Sequence, residues 1–99
     1  MNNKKILGKL LKVYPLRFNG EKAVANHFTI STTKGRVLQS YNSIVAFISN
    51  EGYIFLDEKT WNYSATTAKY RNSFLGVNKK ELEKGIADGS IKLVNLNTN

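Results

Sequence analysis

Cysteine is missing from this chain altogether. That excludes a disulfide framework and a thiolate metal site, and it fits a reducing compartment. Histidine occurs once, as His27, so a zinc site has too few ligands to draw on and no cofactor is expected. Acidic residues are scarce: seven Asp and Glu face fifteen Lys and Arg, for a formal charge of +8. A surface of that sign attracts phosphates, anionic lipid or acidic proteins, and it argues against mimicry of DNA. Long apolar runs are absent too. The longest, Ile44-Val45-Ala46-Phe47-Ile48, falls far short of the roughly 20 residues that span a bilayer. Near the N-terminus, Lys4, Lys5, Lys9 and Lys12 break up the apolar residues too often for the core of a signal peptide.

The catalytic inventory is equally short. General acid–base chemistry draws on histidine or on carboxylates with separated pKa values. His27 sits inside a strand pattern, and Asp57 and Glu58 are adjacent, so on an extended chain they face opposite ways. No phosphate-binding glycine loop and no nucleophile elbow is present. The expectation is a binding protein rather than an enzyme.

What the chain does have is enough apolar material for one core, 41% of its residues, with five Tyr, five Phe and Trp61. At 99 residues it is expected to form a single domain. Residues 1–22 form a basic stretch with six bases and one acid, Glu21. Read as a helix, Ile6, Leu7, Leu10, Leu11, Val13 and Tyr14 share one arc and the lysines the other. Read as a strand, residues 11–18 alternate tolerably, with Pro15 confining them to an edge. The balance favours helix or irregular structure before Tyr14 and an edge strand after it.

Residues 23–57 read as strands. β-rich runs at His27 to Thr32 and Arg36 to Tyr41 flank Thr33-Lys34-Gly35, and runs at Ile44 to Ile48 and Tyr53 to Leu56 flank Ser49-Asn50-Glu51-Gly52. A left-handed glycine is expected to close each loop. Residues 59–88 turn helical. Ser64 is placed to cap Ala65 to Leu75, Gly76 to stop it, and Asn78 to Glu81 has capping-box spacing before a second helix that ends at Asp88-Gly89. A closing strand is expected within 90–96, and the Asn-rich tail from Asn95 is expected to fray. Together these give an α+β fold: an antiparallel meander of about four strands plus a C-terminal strand, with two short C-terminal helices.

The segment 59–75 carries the most information. On its helical wheel Ala68, Tyr70, Phe74 and Leu75 mark a core side, while Thr66, Lys69, Asn72 and Ser73 gather opposite. Such a polar face contacts phosphates and base edges. Arg71 projects between Phe74 and Leu75, so it must either snorkel or reach a partner. Lys34, Arg36, Lys59, Trp61, Tyr63, Thr66, Lys69, Arg71 and Asn72 are therefore the candidate binding residues, provided that they converge on one surface. The alternative is a solvated helix face, with Trp61 and Tyr63 as core anchors.

The strings Ser40-Tyr41-Asn42-Ser43-Ile44-Val45-Ala46-Phe47-Ile48 and Trp61-Asn62-Tyr63-Ser64-Ala65-Thr66-Thr67-Ala68-Lys69-Tyr70-Arg71 resemble a family of short phage-borne proteins of Gram-positive hosts. That family is marked by SYxSIVAFI and WNYSxTTxKYR motifs, and the likeness covers residues 26–96. It implies no activity, but it implies a setting: an accessory protein in the cytoplasm of a bacterial host, acting on host machinery. The leading expectation is binding, through a basic face, to nucleic acid or a host nucleoprotein, as anti-CRISPR or anti-restriction proteins do. Two alternatives stay open. One is a protein–protein inhibitor using aromatic anchors such as Trp61, Tyr63 and Tyr41; the other is a small dimeric transcription regulator.

Overall fold

The computed structural model describes residues 4–18 and 22–97. It is an α+β domain on a six-stranded sheet whose spatial order follows the chain. The elements are α1 (Lys4–Leu7), β1 (Leu10–Phe18), β2 (Lys22–Thr32), β3 (Gly35–Ser40), β4 (Ser43–Ser49), β5 (Ile54–Asp57), α2 (Ala65–Leu75), α3 (Lys79–Asp88) and β6 (Ile91–Val94). Strands β1 to β5 pair antiparallel. The helical crossover through α2 and α3 returns β6 parallel to β5.

The basic N-terminal stretch corrects its expected structure. Only one helical turn forms, and residues 10–18 are strand throughout, the first strand of the sheet. The cause lies in their exposure. As an edge strand, β1 leaves Leu10, Leu11, Val13 and Tyr14 each 43% or more exposed, so neither face imposes a clean alternation. Pro15 sits within it, which an edge strand tolerates. At the other end, Leu96 is fully buried and the Asn97 side chain pairs with both backbone groups of Ile44 at 2.7 and 2.9 Å. Residues 95–97 are therefore anchored, contrary to the expected fraying, while Thr98 and Asn99 lie outside the described residues.

Two apolar layers cover the sheet. Leu16, Leu38, Val45, Ala46, Leu56 and Ile91 pack against Leu75 and Leu82 of α2 and α3. Ile30, Val37, Ile44 and Phe47 pack beneath Leu7 and Leu96 on the opposite face. Side chains on a strand alternate, yet Val45 and Ala46 share a face. The register explains it: Leu38 pairs with Ala46 and Gln39 with Ile44, so Val45 is an extra, bulged residue. Each fully buried Leu, Val or Phe contributes about 1.5–3 kcal/mol.

Both helices have the caps expected of them. Ser64 Oγ accepts from the Thr67 amide at 3.0 Å, Gly76 ends α2 at φ 71°, and Asn78 and Glu81 form a reciprocal capping box. Gly35 is different from the turn glycine anticipated. Its φ of 159° is nearly extended, and a side chain there is excluded because a Cβ would collide with the Ile48 carbonyl. The loop before it is closed by Thr32 Oγ1, which accepts from the Lys34 and Gly35 amides.

Candidate functional site

Residues 1–50, which supply α1 to β4, carry eight bases and one acid; residues 51–99 carry seven bases and six acids. The excess charge is thus a property of the β1–β4 half of the sheet, and part of it gathers where β1 to β3 meet α2. There the β1 strand and the C-terminal part of α2 enclose a cleft of about 400 Å³, lined by Tyr14, Arg17, Thr29, Arg36, Ser73 and Phe74 among others. Ser31 faces Arg36 across the β2–β3 pair.

Three cations here lie over rings. The Arg36 guanidinium is 5.6 Å from the Phe74 ring centre, Lys12 Nζ is 5.2 Å from Tyr14, and Lys69 Nζ is 4.7 Å from Phe18 and 5.5 Å from Tyr70. Exposed pairs of this kind are worth about 0.5–1 kcal/mol, enough to orient the cations without neutralising them. Lys12, Arg36 and Lys69 are exposed, so an anion can approach their charged groups from solvent. The rings continue along α2: Phe18 to Tyr70 at 5.4 Å, Tyr70 to His27 at 4.9 Å, His27 to Tyr41 at 5.8 Å. The result is a groove with three cations over its rings on one side of α2, continued by ring contacts through the buried His27 to the exposed Tyr41.

Of the residues singled out in the sequence, Arg36, Lys69 and Thr66 remain exposed along this helix face or its facing strands. Lys34 does not join them. It lies beside a separate cleft on the opposite face with Ile6, Phe47 and Tyr53, and its Nζ donates to the Lys5 carbonyl at 2.7 Å. Lys59 is at the other end of the sheet, beside Asn42, Thr60 and Asn97. The six residues of β3 run between these two ends, and their five steps of about 3.3 Å span roughly 17 Å. The single patch joining residues 34–36 to 59–71 is therefore not formed.

Arg71 is buried, at 2% exposure. Its guanidinium donates to the Trp61 carbonyl, to Asn62 Oδ1 at 3.3 Å and to Asn72 Oδ1 at 2.9 and 3.1 Å, and lies 5.3 Å from the Trp61 ring. Burial lowers its pKa from the ordinary arginine value. Its position on the wheel, between Phe74 and Leu75, dictates this inward course, so Arg71 clamps the 61–62 turn to α2 rather than reaching a partner. Trp61 and Asn72 belong to the same clamp. Trp61 packs on the helix-side core, the anchoring role that the sequence left as the alternative.

Tyr63 is half exposed, and its hydroxyl lies 3.1 Å from Ser40 Oγ, which lies 3.1 Å from His27 Nε2. His27 Nδ1 is 2.9 Å from the Ala25 carbonyl and is assigned the proton on that ground, leaving Nε2 to accept from Ser40. A serine hydroxyl on an imidazole has the outline of a nucleophile and its base. Here Ser40 is 0% exposed and His27 3%, so the pair is closed to a substrate and acts as a buried polar relay.

A second polar centre holds the far end of the sheet. Asp57, 2% exposed, accepts from the Leu96 amide at 2.8 Å through one oxygen, and from the Lys59 and Thr60 amides and the Thr60 hydroxyl through the other. Burial pushes its pKa up, but these hydrogen bonds outweigh it and hold the carboxyl below its ordinary value. Among the described residues, no three His, Cys, Asp or Glu side chains gather as a metal ion requires, and no helix is long and apolar enough to cross a membrane.

Lys12, Tyr14, Phe18 and Phe74 are the groove residues that sequence reasoning missed. Phe74 falls on the core side of its helical wheel, and Lys12 and Tyr14 lie where helix and strand readings compete. The strand reading of residues 11–18 carries the signal for Lys12, Tyr14 and Phe18, since it turns them toward α2. Comparisons with curated proteins and with solved structures return no match. A family model does match residues 11–89, and so takes in β1, which the motif likeness over residues 26–96 had left out. The chain belongs to this family, a family of unknown function (DUF8033).

Proposed function

We propose that this protein is a non-enzymatic binding module whose groove between α2 and the β1–β3 strands takes nucleic acid, free or within a nucleoprotein. The observation that carries the reading is the groove itself: Lys12 and Arg36, from the half of the chain with one acid, and Lys69 of α2 are each poised over a partly exposed ring. Positive charge draws the phosphates, and rings give the bases a surface to stack on. An acidic protein would answer the charge but would not need the row of rings. The likeness to short phage-borne proteins supports a setting in the bacterial host cytoplasm. There such a module would block or redirect a host process by occupying its nucleic acid, a defence complex being the foremost candidate.

The test is anisotropy titration of labelled DNA and RNA between about 50 and 200 mM salt. Three phosphate contacts give a slope of about −2 in log affinity against log salt, a loss of roughly 15- to 20-fold over that range. An affinity flat across it would refute the reading. So would a host partner that resists nuclease during affinity capture while no oligonucleotide binds; that outcome favours a protein target held by exposed rings such as Tyr41 and Tyr63.

A further inference from the structure

We infer that the groove is built for single-stranded rather than duplex nucleic acid, and that Tyr41 is the stacking platform at its far end. The inference rests on the nucleic-acid reading above. Three observations carry it.

A helix that reads a duplex needs free bidentate side chains on its outer face. On α2 the one amide suited to that task, Asn72, has its Oδ1 taken by the Arg71 guanidinium, and Lys69 lies over Phe18. Thr66 and Ser73 remain, both short. What α2 offers instead is its flank, where Phe74 lies under Arg36 and Phe18 and Tyr70 under Lys69, and where ring contacts run on through the buried His27 to the exposed Tyr41. Stacked bases inside a duplex cannot reach such rings, whereas splayed bases can.

The third observation is backbone strain. Tyr41 and Asn42 form the two-residue link between Ser40 and Ser43, and Tyr41 has φ 54°. That is the left-handed region, which a bulky side chain seldom occupies and which glycine or asparagine would accept more readily. A two-residue hairpin link requires a positive φ at its first residue, ordinarily supplied by glycine, asparagine or aspartate, so it is the tyrosine side chain there that needs an account. Tyr41 is 59% exposed and meets His27 edge-on at 5.8 Å, so burial does not justify it. Its amide donates to the Asn26 carbonyl at 2.6 Å, and Asn26 is itself at φ 61°. The turn is thereby held in place, and the exposed ring with it. A fold that keeps an exposed aromatic ring at a strained position has the arrangement of a binding site.

The experiment compares wild type, Tyr41→Gly and Tyr41→Phe on a labelled oligothymidine of about 12 nucleotides, within the site sizes of single-strand binders, and on a duplex of equal length. The expected result is at least roughly tenfold tighter binding of the single strand. Tyr41→Gly should lose roughly 5- to 150-fold of that affinity, the worth of one stacked base, while its Tm holds or rises. Tyr41→Phe, which keeps the ring, should bind like wild type. Duplex bound as tightly as single strand, or an unchanged affinity in Tyr41→Gly, overturns the inference. In either case the groove reading stands if removing Arg36 and Lys69 still weakens binding. Failure of both probes to bind at low salt overturns the inference and the reading beneath it together.

Discussion

Removing the Asp57 carboxylate should cost more stability than any other single polar change in this protein. The side chain is 2% exposed and ties three segments: β5, which it ends; the 58–60 turn, through the Lys59 and Thr60 amides; and the C-terminal segment, through Leu96. A hydrogen bond to a charged group is worth about 1.5–3 kcal/mol, and a buried donor left without a partner costs about 1–3 kcal/mol. The Lys59 amide can turn to water, because Lys59 is exposed; the Leu96 amide cannot, because Leu96 is fully buried. Losing the Leu96 bond outright and part of the turn bonds sets the cost of Asp57→Ala at about 3–5 kcal/mol. In a domain of this size that lowers Tm by about 12 °C or more. Total stability is expected at about 5–15 kcal/mol, so the variant is marginal. Asp57→Asn keeps one acceptor and should lose about half as much.

The pH dependence distinguishes the carboxylate from the space it fills. The folded pKa of Asp57 lies below its unfolded value, so its contribution is complete above about pH 4 and is lost as pH falls through the folded pKa. Urea denaturation at pH 7 and again near pH 2–3 should therefore show wild type and Asp57→Asn converging in acid. A gap between them that stays constant down to pH 2 would refute the charge-based account. A loss under about 1 kcal/mol in Asp57→Ala would refute the bonding account altogether.

Two further outcomes follow from the packing. Arg71→Lys should lower stability by about 2–3 kcal/mol, because an ammonium cannot reproduce the fork that holds Trp61 and Asn72. The nucleic-acid affinity of its folded fraction should change less than about twofold, since Arg71 is buried; affinity lost at unchanged Tm would show that Arg71 reaches a partner after all. Gly35→Ala should cost about 2 kcal/mol or more, since the added methyl meets the Ile48 backbone carbonyl, which has little room to yield. A stability equal to wild type in thermal melts would contradict that geometry.

Local signals made most of the fold readable. Ser64, Gly76, Asn78 and Glu81 announce both helices because caps act over three or four residues and need no tertiary context. The central strands were readable because buried faces impose alternation. Strand β1 was not, for the opposite reason: Leu10, Leu11, Val13 and Tyr14 stand exposed at an edge, so their pattern fits a helical arc as well as a strand. The parallel return of β6 depends on how the two helices cross the sheet, which no local pattern encodes.

The candidate site was legible in half. Lys69 and Arg36 were identifiable from charge, whereas Lys34 and Lys59 share that charge and lie elsewhere, because strand direction rather than sequence proximity separates them. Arg71 shows the same limit from the other side. Its projection between two apolar residues already pointed inward, and only the carbonyl and amide oxygens awaiting it, on Trp61, Asn62 and Asn72, decide that it stays there.

The most direct measurement compares two double variants of equal net charge, Arg36→Glu with Lys69→Glu and Lys34→Glu with Lys59→Glu, in oligonucleotide titrations at about 50 mM salt. Removal of two phosphate contacts at that salt, with two new repulsions, predicts at least a tenfold weakening in the first pair and a change under about threefold in the second. Equal weakening in both would mean that net charge alone draws the nucleic acid, and that the groove beside α2 is not its site.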